Sequence, residues 1–593
     1  MLRETEGYNG ERHTSFCSSS KSSRNYCGGG MMELRIGVFV CDCGTNIAGF
    51  VDVPAVCEYA KTLPNVVFVQ ENMYTCSDAG ITEIREAIKK HNLNRVVVAS
   101  CTPRTHEPLF RKTCEEAGLN KYLFEFANIR DQCSWVHQKE RDKATEKAKD
   151  LVRMAVARAS LLEPLEEIKV PVERKALVIG GGISGMTASL SLAKQGFEVY
   201  LVEKENVLGG MLRHLNKLYP YEKNADEVLK EMEGKVKKEK NIHVLLESMV
   251  EHVEGYIGDY SVVINGKERT EIKVGTIIVA IGADVYKPRF MYNYGEYENI
   301  ITQFELEKML KNGDFPEAKT IVMIQCVGGR GERVRYCSRI CCMNSIKNAK
   351  LLKEKNPDAK VYVIHKGVQT YGTMYEWYYR KAREAGVRFI RVEDTIPTVS
   401  YIEKEDGRLV VGFYQPGIGR NMKIPADLVV LSTPLIARSG AKELSKMLKV
   451  PLGQDGFFFE AHVKLRPVDF ATDGIYMAGS CRAPADVNEC VYQALAAASR
   501  AAIPMAKGYV MPEALMPVID TKKCKGCGIC VEVCPYGAMR LVEINGEKKA
   551  ENLPAACKGC GACGSSCIHK AIEMRHYRDE QIVRQTIAAL EEI

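Results

Sequence analysis

The sequence has no apolar run near the roughly 20 residues that a membrane-spanning helix requires, and its N-terminus lacks the apolar stretch of a signal peptide. It also lacks a marked excess of one charge, because 82 basic residues oppose 75 acidic ones for a formal net charge of +7. That surplus is too small for an extended phosphate-binding surface. We therefore expect a cytoplasmic protein that spans no membrane and does not bind nucleic acid.

The C-x-x-C redox pair is absent everywhere except near the C-terminus, although the chain contains 23 cysteines. Its absence argues against direct disulfide exchange by this chain. Cytosolic thiols stay reduced, so cysteines at this density favour metal ligation over disulfides.

The 593 residues suffice for three or four domains, and the hydrophobic share of 46% is that of packed globular proteins. Residues 1–32 are polar and rich in Ser and Gly, so we expect a disordered extension there. In residues 33–165, β-branched runs alternate with amphipathic stretches, which predicts a small α/β domain ending in a charged helix. A second α/β region covers residues 166–510, and a cysteine-rich α+β segment with a final amphipathic helix covers residues 511–593.

The most specific pattern lies in the tail, where two C-x2-C-x2-C-x3-C runs are displaced by 33 residues. Their cysteines are Cys524, Cys527, Cys530 and Cys534 in the first run and Cys557, Cys560, Cys563 and Cys567 in the second. The runs resemble bacterial two-cluster ferredoxins, in which the fourth cysteine of each run binds the other half's cluster. The resemblance implies one [4Fe-4S] cluster on Cys524, Cys527, Cys530 and Cys567, and another on Cys557, Cys560, Cys563 and Cys534. The alternative, a zinc ribbon, gives no reason for the triple spacing.

A glycine-rich turn, Gly180-x-Gly182-x-x-Gly185, follows the apolar run that ends at Ile179 and precedes a helix of small residues. Glu203 follows the next β-like run. Glycines in this pattern permit a tight turn and the close approach of a pyrophosphate, and the acid can accept a hydrogen bond from a ribose hydroxyl. The motif predicts a dinucleotide site for NAD or FAD.

Three further segments favour FAD. Gly209-Gly210-Met211 resembles the second glycine pair of flavoproteins with two dinucleotide-binding domains. The run from Thr276 to Gly282 fits their central strand and turn. The segment DGIYMAGSC, which contains Ala478 and Gly479, resembles the closing motif that approaches their flavin. Together these segments imply a thioredoxin-reductase-like, FAD-binding Rossmann domain.

Flavoproteins of this class usually carry a second G-x-G-x-x-G for a pyridine nucleotide, and no such turn follows the matching strand here. The strand KTIVMIQ instead leads into a C-x10-C-x3-C-C set within residues 326–342, formed by Cys326, Cys337, Cys341 and Cys342. Adjacent cysteines pair poorly in a disulfide. We therefore expect the four to bind an iron–sulfur cluster, with a group of buried structural thiols as the alternative.

The N-terminal domain offers a dispersed set of cysteines near the ends of predicted strands, where an α/β sheet presents ligands. The set is Cys41, Cys43, Cys76 and Cys101, with Cys133 as a substitute. A further cluster and buried thiols are both open interpretations of this spacing. We expect Cys57 and Cys114 to be packing residues, and His106 and His462 to be surface or packing residues. The Cys133-Trp135-His137 group is interpreted as structural, because no oxyanion-hole signature lies nearby.

The glycine turn, the C-x10-C-x3-C-C set, the tail and the segments VCDCGTNIAG and NIRDQCSWVH together resemble the heterodisulfide reductase A subunit family over about residues 33–575. In that family an FAD protein is the electron-bifurcating or electron-distributing hub of a larger complex, and another subunit holds the heterodisulfide-reducing site. The resemblance implies an iron–sulfur flavoenzyme of anaerobic metabolism, as in methanogenesis. Its partners would be other subunits, an electron-donor protein and ferredoxin. Longer members insert a further ferredoxin domain, but residues 206–288 contain no cysteine, so this chain resembles a shortened form.

Two other functions remain open. A stand-alone NAD(P)H-dependent flavin oxidoreductase with a ferredoxin tail would be reduced rapidly by NADH or NADPH, which the missing second nucleotide turn argues against. A non-catalytic scaffold that carries clusters between partners would need no flavin.

Overall fold

The computed structural model describes residues 33–393, 398–405 and 407–590. The predicted disordered extension at residues 1–32 lies outside the described residues. The chain divides into a first unit of Met1–Glu166, Ala514–Cys527 and Gly561–Ile593, and a second unit of Glu167–Glu513 and Gly528–Cys560. Within the described ranges, no helix combines the length and the apolar character needed to cross a membrane.

Long β-branched runs form the centre of the first unit. Its elements begin with β1 (Ile36–Cys41), α1 (Val53–Lys61), β2 (Val66–Asn72), α2 (Asp78–Lys90), β3 (Arg95–Ser100), α3 (Pro103–Glu116), β4 (Phe124–Asn128) and α4 (Arg141–Ala159). The strands form a parallel sheet in the order β2-β1-β3-β4. β1 and β3 are buried along their whole length, as expected of parallel strands covered on both faces. The predicted α/β domain with a charged final helix is confirmed.

Parallel sheets also organise the second unit. Its first half contains β5 (Val170–Pro171), β6 (Lys175–Ile179), α5 (Ile183–Lys194), β7 (Glu198–Val202), β8 (Lys217–Leu218), β9 (Lys223–Asn224), α6 (Ala225–Lys238), β10 (Ile242–Leu245), β11 (Met249–Tyr256), β12 (Asp259–Asn265), β13 (Thr270–Val274), β14 (Thr276–Val279) and β15 (Ala283–Val285). The apolar run before the glycine turn is thus β6, and the helix of small residues is α5.

The chain then builds a second sheet before it returns to the first. The elements are β16 (Ile300–Thr302), α7 (Gln303–Asn312), β17 (Thr320–Ile324), α8 (Ile340–Lys355), β18 (Lys360–His365), α9 (Tyr375–Glu384), β19 (Arg388–Arg391), β20 (Tyr401–Glu405), β21 (Arg408–Gln415), β22 (Arg420–Ala426), β23 (Leu428–Leu431), β24 (Leu435–Ala437), α10 (Ala441–Leu448), β25 (Ile475–Met477), α11 (Val487–Lys507) and β26 (Tyr509–Val510). The strand predicted from KTIVMIQ is β17.

The two sheets repeat one strand pattern. The first has the order β10-β7-β6-β14-β25 and the second the order β19-β18-β17-β23-β16, with parallel neighbours throughout. In each, a three-stranded antiparallel meander, β11 to β13 or β20 to β22, precedes the fourth strand of that order. β6 and β17 therefore hold equivalent central places. Each leads through a turn into a helix, α5 or α8, so the two turns are equivalent in topology.

The tail supplies β27 (Pro517–Ile519), α12 (Ile529–Glu532), β28 (Met539–Ile544), β29 (Glu547–Asn552), α13 (Ala562–Ser565), β30 (Ile572–Met574) and α14 (Asp579–Leu590). β27 pairs with β30 in the first unit, and β28 pairs with β29 in the second. α14 packs against α4 within the first unit, where the Arg153 guanidinium donates to the Ala588 carbonyl at 2.5 Å. The final amphipathic helix predicted from the sequence is confirmed.

Candidate cofactor sites

The turn between β6 and α5 needs two of its glycines for steric reasons. Gly180 has a φ of 107°, and a Cβ there would collide with the Ala280 carbonyl oxygen. A Cβ at Gly185 would collide with the Gly180 carbonyl oxygen. Gly182 differs, because no heavy atom lies within 4 Å of the position that its Cβ would take. The open face of Gly182 leaves room for a ligand to approach the backbone.

The start of α5 suits an anion. Gly182 is the N-cap residue and offers no side chain to cap the helix. The first N–H groups of a helix have no partner within it, and the helix dipole favours negative charge there. This end of α5 and the open Cα of Gly182 together fit the pyrophosphate of a dinucleotide.

Glu203 lies just beyond β7 with its side chain buried. One carboxylate oxygen accepts from the Gly181 backbone N–H at 2.7 Å and the other from the Glu205 N–H at 3.0 Å. A carboxylate has about four acceptor positions, so two remain for ribose hydroxyls. The backbone bonds hold the acid beside the glycine turn, as the sequence predicts for a ribose-binding residue.

The second glycine pair joins the same turn. Gly209 has a φ of 112° and donates its N–H to the Gly181 carbonyl at 2.9 Å. A Cβ on Gly210 would lie 3.2 Å from the Gly182 Cα, and Met211 follows directly in the chain. These contacts place the predicted segment beside the proposed pyrophosphate position.

The two remaining flavin segments come from neighbouring strands of the first sheet. Gly282 follows β14 at a φ of 73° and faces open space. Ala478 is buried after β25, and a Cβ at Gly479 would collide with the Ser184 hydroxyl of α5. The chain thus brings every predicted FAD segment to the carboxyl edge of one sheet, and the open faces and buried carboxylate fit that cofactor.

The four cysteines of the second sheet lie in the turn equivalent to the glycine turn. Cys326 follows β17 at a φ of 61°, Cys337 lies in the loop, and Cys341 and Cys342 are in the first turn of α8. Burial, followed by the nearby thiols of Cys342 and Cys337, raises the pKa of Cys326 to about 11. The Cys341 thiol donates to the sulfur of Cys342, which lowers the pKa of Cys342. The fold therefore brings the four predicted ligands together.

The dispersed N-terminal cysteines also meet at a carboxyl sheet edge. Cys41 ends β1, Cys76 precedes α2, and Cys101 follows β3. Burial raises the pKa of the Cys76 thiol, and the neighbouring thiols of Cys41, Cys101 and Cys43 raise it further. The Thr75 backbone N–H donates to the Cys41 sulfur at 3.4 Å.

Two residues beside this set were not anticipated as site residues. His106 Nδ1 lies 3.2 Å from the Cys101 sulfur, so the expectation that His106 is a surface or packing residue needs correction. The Arg130 guanidinium hydrogen-bonds the Cys43 thiol and stacks over Trp135 at 4.7 Å. Arg130 begins a single π-helical turn, Arg130–Ser134, and such turns are frequent at functional sites. The i to i+5 spacing from Cys101 to His106 was the available signal in the sequence.

Cys133 does not join the N-terminal set. It is buried and donates its thiol hydrogen to the Ala144 carbonyl at 3.0 Å, so it packs against α4. Cys57 and Cys114 lie in the hydrophobic core, as expected. The ring of His137 approaches Glu140 at 3.5 Å, and His462 accepts backbone N–H groups in an exposed turn.

The tail cysteines fall in both units. The first unit holds Cys524, Cys527, Cys563 and Cys567, and the second holds Cys530, Cys534, Cys557 and Cys560. Three of these sulfurs accept backbone N–H groups within their own unit: Cys534 from Ala538 at 3.2 Å, Cys557 from Gly559 at 3.4 Å and Cys567 from Ala571 at 3.3 Å. Such bonds are among the means by which proteins tune cluster potentials.

Among the residues that the structure describes, no group of three or more His, Cys, Asp or Glu side chains could hold a metal ion. A four-iron cluster spreads its thiolates around several irons, which is a different geometry from the ligand set of one ion.

Curated relatives match almost the whole chain. The A subunit of the "H(2):CoB-CoM heterodisulfide,ferredoxin reductase" of Methanothermobacter thermautotrophicus is 41% identical over 655 residues, which covers 95% of this chain and 98% of the relative. The second of two A-type iron–sulfur subunits of the "CoB--CoM heterodisulfide reductase" of Methanopyrus kandleri is 42% identical and covers 93% and 98%. This chain belongs to the heterodisulfide reductase A subunit family.

Two family models match parts of this A-type chain. The model described as pyridine nucleotide-disulphide oxidoreductase matches residues 161–329, and the model for a 4Fe-4S binding domain matches residues 517–540. Among solved structures, the thioredoxin reductase of Lactococcus lactis has a TM-score of 0.40 and 18% identity, covering 56% of this chain and all of that one. The predicted combination of a thioredoxin-reductase-like flavoprotein with a ferredoxin segment is confirmed.

As a member of the A subunit family, the chain is an iron–sulfur flavoprotein oxidoreductase with FAD and [4Fe-4S] clusters as cofactors. The alignment with the Methanothermobacter relative spans 655 residues, more than the 593 of this chain. That relative therefore carries stretches with no counterpart here, in agreement with the predicted shortened form.

Proposed function

We propose that this chain is the electron-distributing subunit of a heterodisulfide-reductase-like complex. It would pass electrons between a donor protein, ferredoxin and a disulfide-reducing partner. The observation that carries the proposal is the cysteine turn after β17, which holds the topological place of the glycine turn after β6. At that place the second sheet offers four thiols instead of a glycine cradle for a second nucleotide.

The first sheet would hold FAD through the residues that surround its glycine turn. Gly180, Gly182 and Gly185 leave the backbone open to the pyrophosphate, and Glu203 orients the ribose. When bound, FAD accepts an electron pair and releases electrons singly. The protein contributes position and burial, because the segments at Gly282 and Gly479 close the site from neighbouring strands.

The thiols would hold four clusters in all. Two belong to the tail, on the ligand sets implied by the ferredoxin spacing. A third would be bound by Cys326, Cys337, Cys341 and Cys342, and a fourth by Cys41, Cys43, Cys76 and Cys101. Supporting the last two are the mutual effects of these thiols on their pKa values, since such effects require proximity.

The names of the relatives indicate the class of partner. They name hydrogen or formate, ferredoxin and the CoB-CoM heterodisulfide as the reactants of complexes to which these A subunits belong. We propose that this chain likewise works in the cytoplasm beside a separate disulfide-reducing subunit. Its own lack of a C-x-x-C pair outside the tail supports that division of labour.

The test is anoxic copurification with iron, sulfide and flavin quantified per chain. We expect one FAD, about 16 iron atoms, and partner subunits in the same fraction. Addition of NADH or NADPH should leave the flavin absorbance unchanged, whereas rapid bleaching would favour the stand-alone oxidoreductase. Protein without flavin would favour the scaffold. For bifurcation, the finer form of this proposal, ferredoxin reduction by the complex should require the disulfide acceptor.

A further inference from the structure

One residue of the second unit contacts both the cysteine turn and the helix that follows the flavin motif. The backbone N–H of Arg339 donates to the Cys337 sulfur at 3.4 Å. Its guanidinium meets Glu489 near the start of α11, with Nη1 and Nη2 at 3.0 and 3.2 Å from the two carboxylate oxygens. Nη2 also donates to the Pro484 carbonyl at 2.8 Å. Arg339 thus links residues of the two proposed cofactor sites directly.

A polar and aromatic network fixes this link. The Arg339 guanidinium lies 4.6 Å above the Tyr371 ring, and the Tyr371 hydroxyl donates to Glu489 at 2.9 Å. Tyr375 donates to Asp486, the N-cap residue of α11. Asp486 and Glu489 form a reciprocal capping box, so they are held rigidly at the helix start. Each polar group around the guanidinium is therefore positioned by a second contact.

The backbone of Arg339 is itself unusual. Its φ is 58°, a conformation that residues with a Cβ rarely adopt. Such strain persists only where surrounding contacts fix it, and it concentrates at functional sites. The fork of hydrogen bonds to Glu489 and Pro484 is the contact set available to fix this residue.

We propose that Arg339 is a positioning residue that couples the cysteine turn to the flavin-binding end of α11 and raises the reduction potential of the cluster held there. The inference rests on the proposed function, because it assumes a cluster on Cys326, Cys337, Cys341 and Cys342. A thiolate-ligated cluster becomes more negative when it gains an electron, so a nearby cation stabilises its reduced form. Glu489 partly neutralises that cation, and the two side chains should therefore act in opposite directions.

The experiment compares midpoint potentials of the cluster in anoxically purified full-length variants. Potentials are read by electron paramagnetic resonance during a dithionite titration, in which each cluster takes up one electron and no bond is broken. Arg339→Met should lower the midpoint potential, and Glu489→Gln should raise it. Glutamine retains the capping-box acceptor, so the start of α11 is preserved in the second variant. Arg339→Lys keeps the charge and should lie closer to the wild type than Arg339→Met does.

Arg408→Met is the matched control. It also removes an arginine from an ion pair, with Asp427 at 2.7 Å. Asp427 accepts from the Thr320 N–H at the start of β17, whereas Cys326 follows the other end of that strand. This variant should leave the potential unchanged.

Iron and FAD per chain separate the possible outcomes. Opposite shifts with unchanged iron and FAD support the inference. Unchanged potentials with unchanged iron, or shifts of the same sign in both variants, overturn it. If the wild type itself lacks iron at these cysteines, as judged by unchanged iron in a Cys337→Ser variant, the proposed function fails first and the inference falls with it.

Discussion

The two sheets of the second unit share a strand order and a meander, yet they carry different turns at the same central place. After β6 the turn consists of glycines with open faces, and after β17 it holds thiols. The fold fixes where a ligand can lie, at the carboxyl edge of a parallel sheet, and the side chains at that edge decide which ligand it is. One α/β architecture can thus provide both a nucleotide cradle and a metal-binding turn.

The largest expected effect comes from removing the thiols of the second turn. The double variant Cys337→Ser and Cys341→Ser should lose about four iron atoms per chain and keep its FAD, because the glycine turn belongs to the other sheet. Iron, sulfide and flavin analysis of anoxic protein provides the measurement. Unchanged iron would mean that these thiols are structural and would break the comparison.

The N-terminal sheet extends the comparison to a third carboxyl edge. Cys76→Ser should lower the iron content, because Cys76 lies among the thiols of Cys41, Cys43 and Cys101. Cys133→Ser is its control, since the Cys133 thiol contacts the Ala144 carbonyl of α4 instead. Equal iron in both variants and the wild type would rule out a cluster at this edge.

A smaller effect is expected in the glycine turn. Gly182→Ala would fill the open face beside α5 and should weaken FAD binding about tenfold, or about 1.4 kcal/mol, with the fold intact. Gly234→Ala in α6 also adds a methyl group to open space, but away from the turn, and should leave FAD binding unchanged. Flavin retention on dialysis and the thermal unfolding midpoint distinguish the two. Equal retention would mean that the pyrophosphate does not approach Gly182.

Local patterns predicted much of this structure. The runs that became β6 and β17, the glycine spacing and the charged helix α4 are all legible within short windows, because strand, turn and helix signals are local. The gathering of Cys41, Cys76 and Cys101 could be expected only in outline, since it depends on which strands become neighbours.

Contacts between distant segments were beyond the reach of sequence. Arg339 and Glu489 are 150 residues apart, and no period or motif joins them. His106 looked like an isolated histidine until the turn after β3 brought it to Cys101. Side-chain contacts of this kind are set by tertiary packing, for which a single sequence carries no direct signal.

His106 offers the smallest effect and the finest test of the N-terminal edge. Burial lowers the pKa of its imidazole, which therefore stays neutral at pH 7 and can donate Nδ1–H to the Cys101 sulfur at 3.2 Å. Hydrogen bonds to cluster sulfurs stabilise the reduced state, so His106→Ala should lower the potential of this cluster slightly and leave iron content unchanged. His462→Ala is a control, because His462 lies in an exposed turn. Loss of iron in His106→Ala would instead make the histidine a ligand, and an unchanged potential would show that the contact has no part in tuning the cluster.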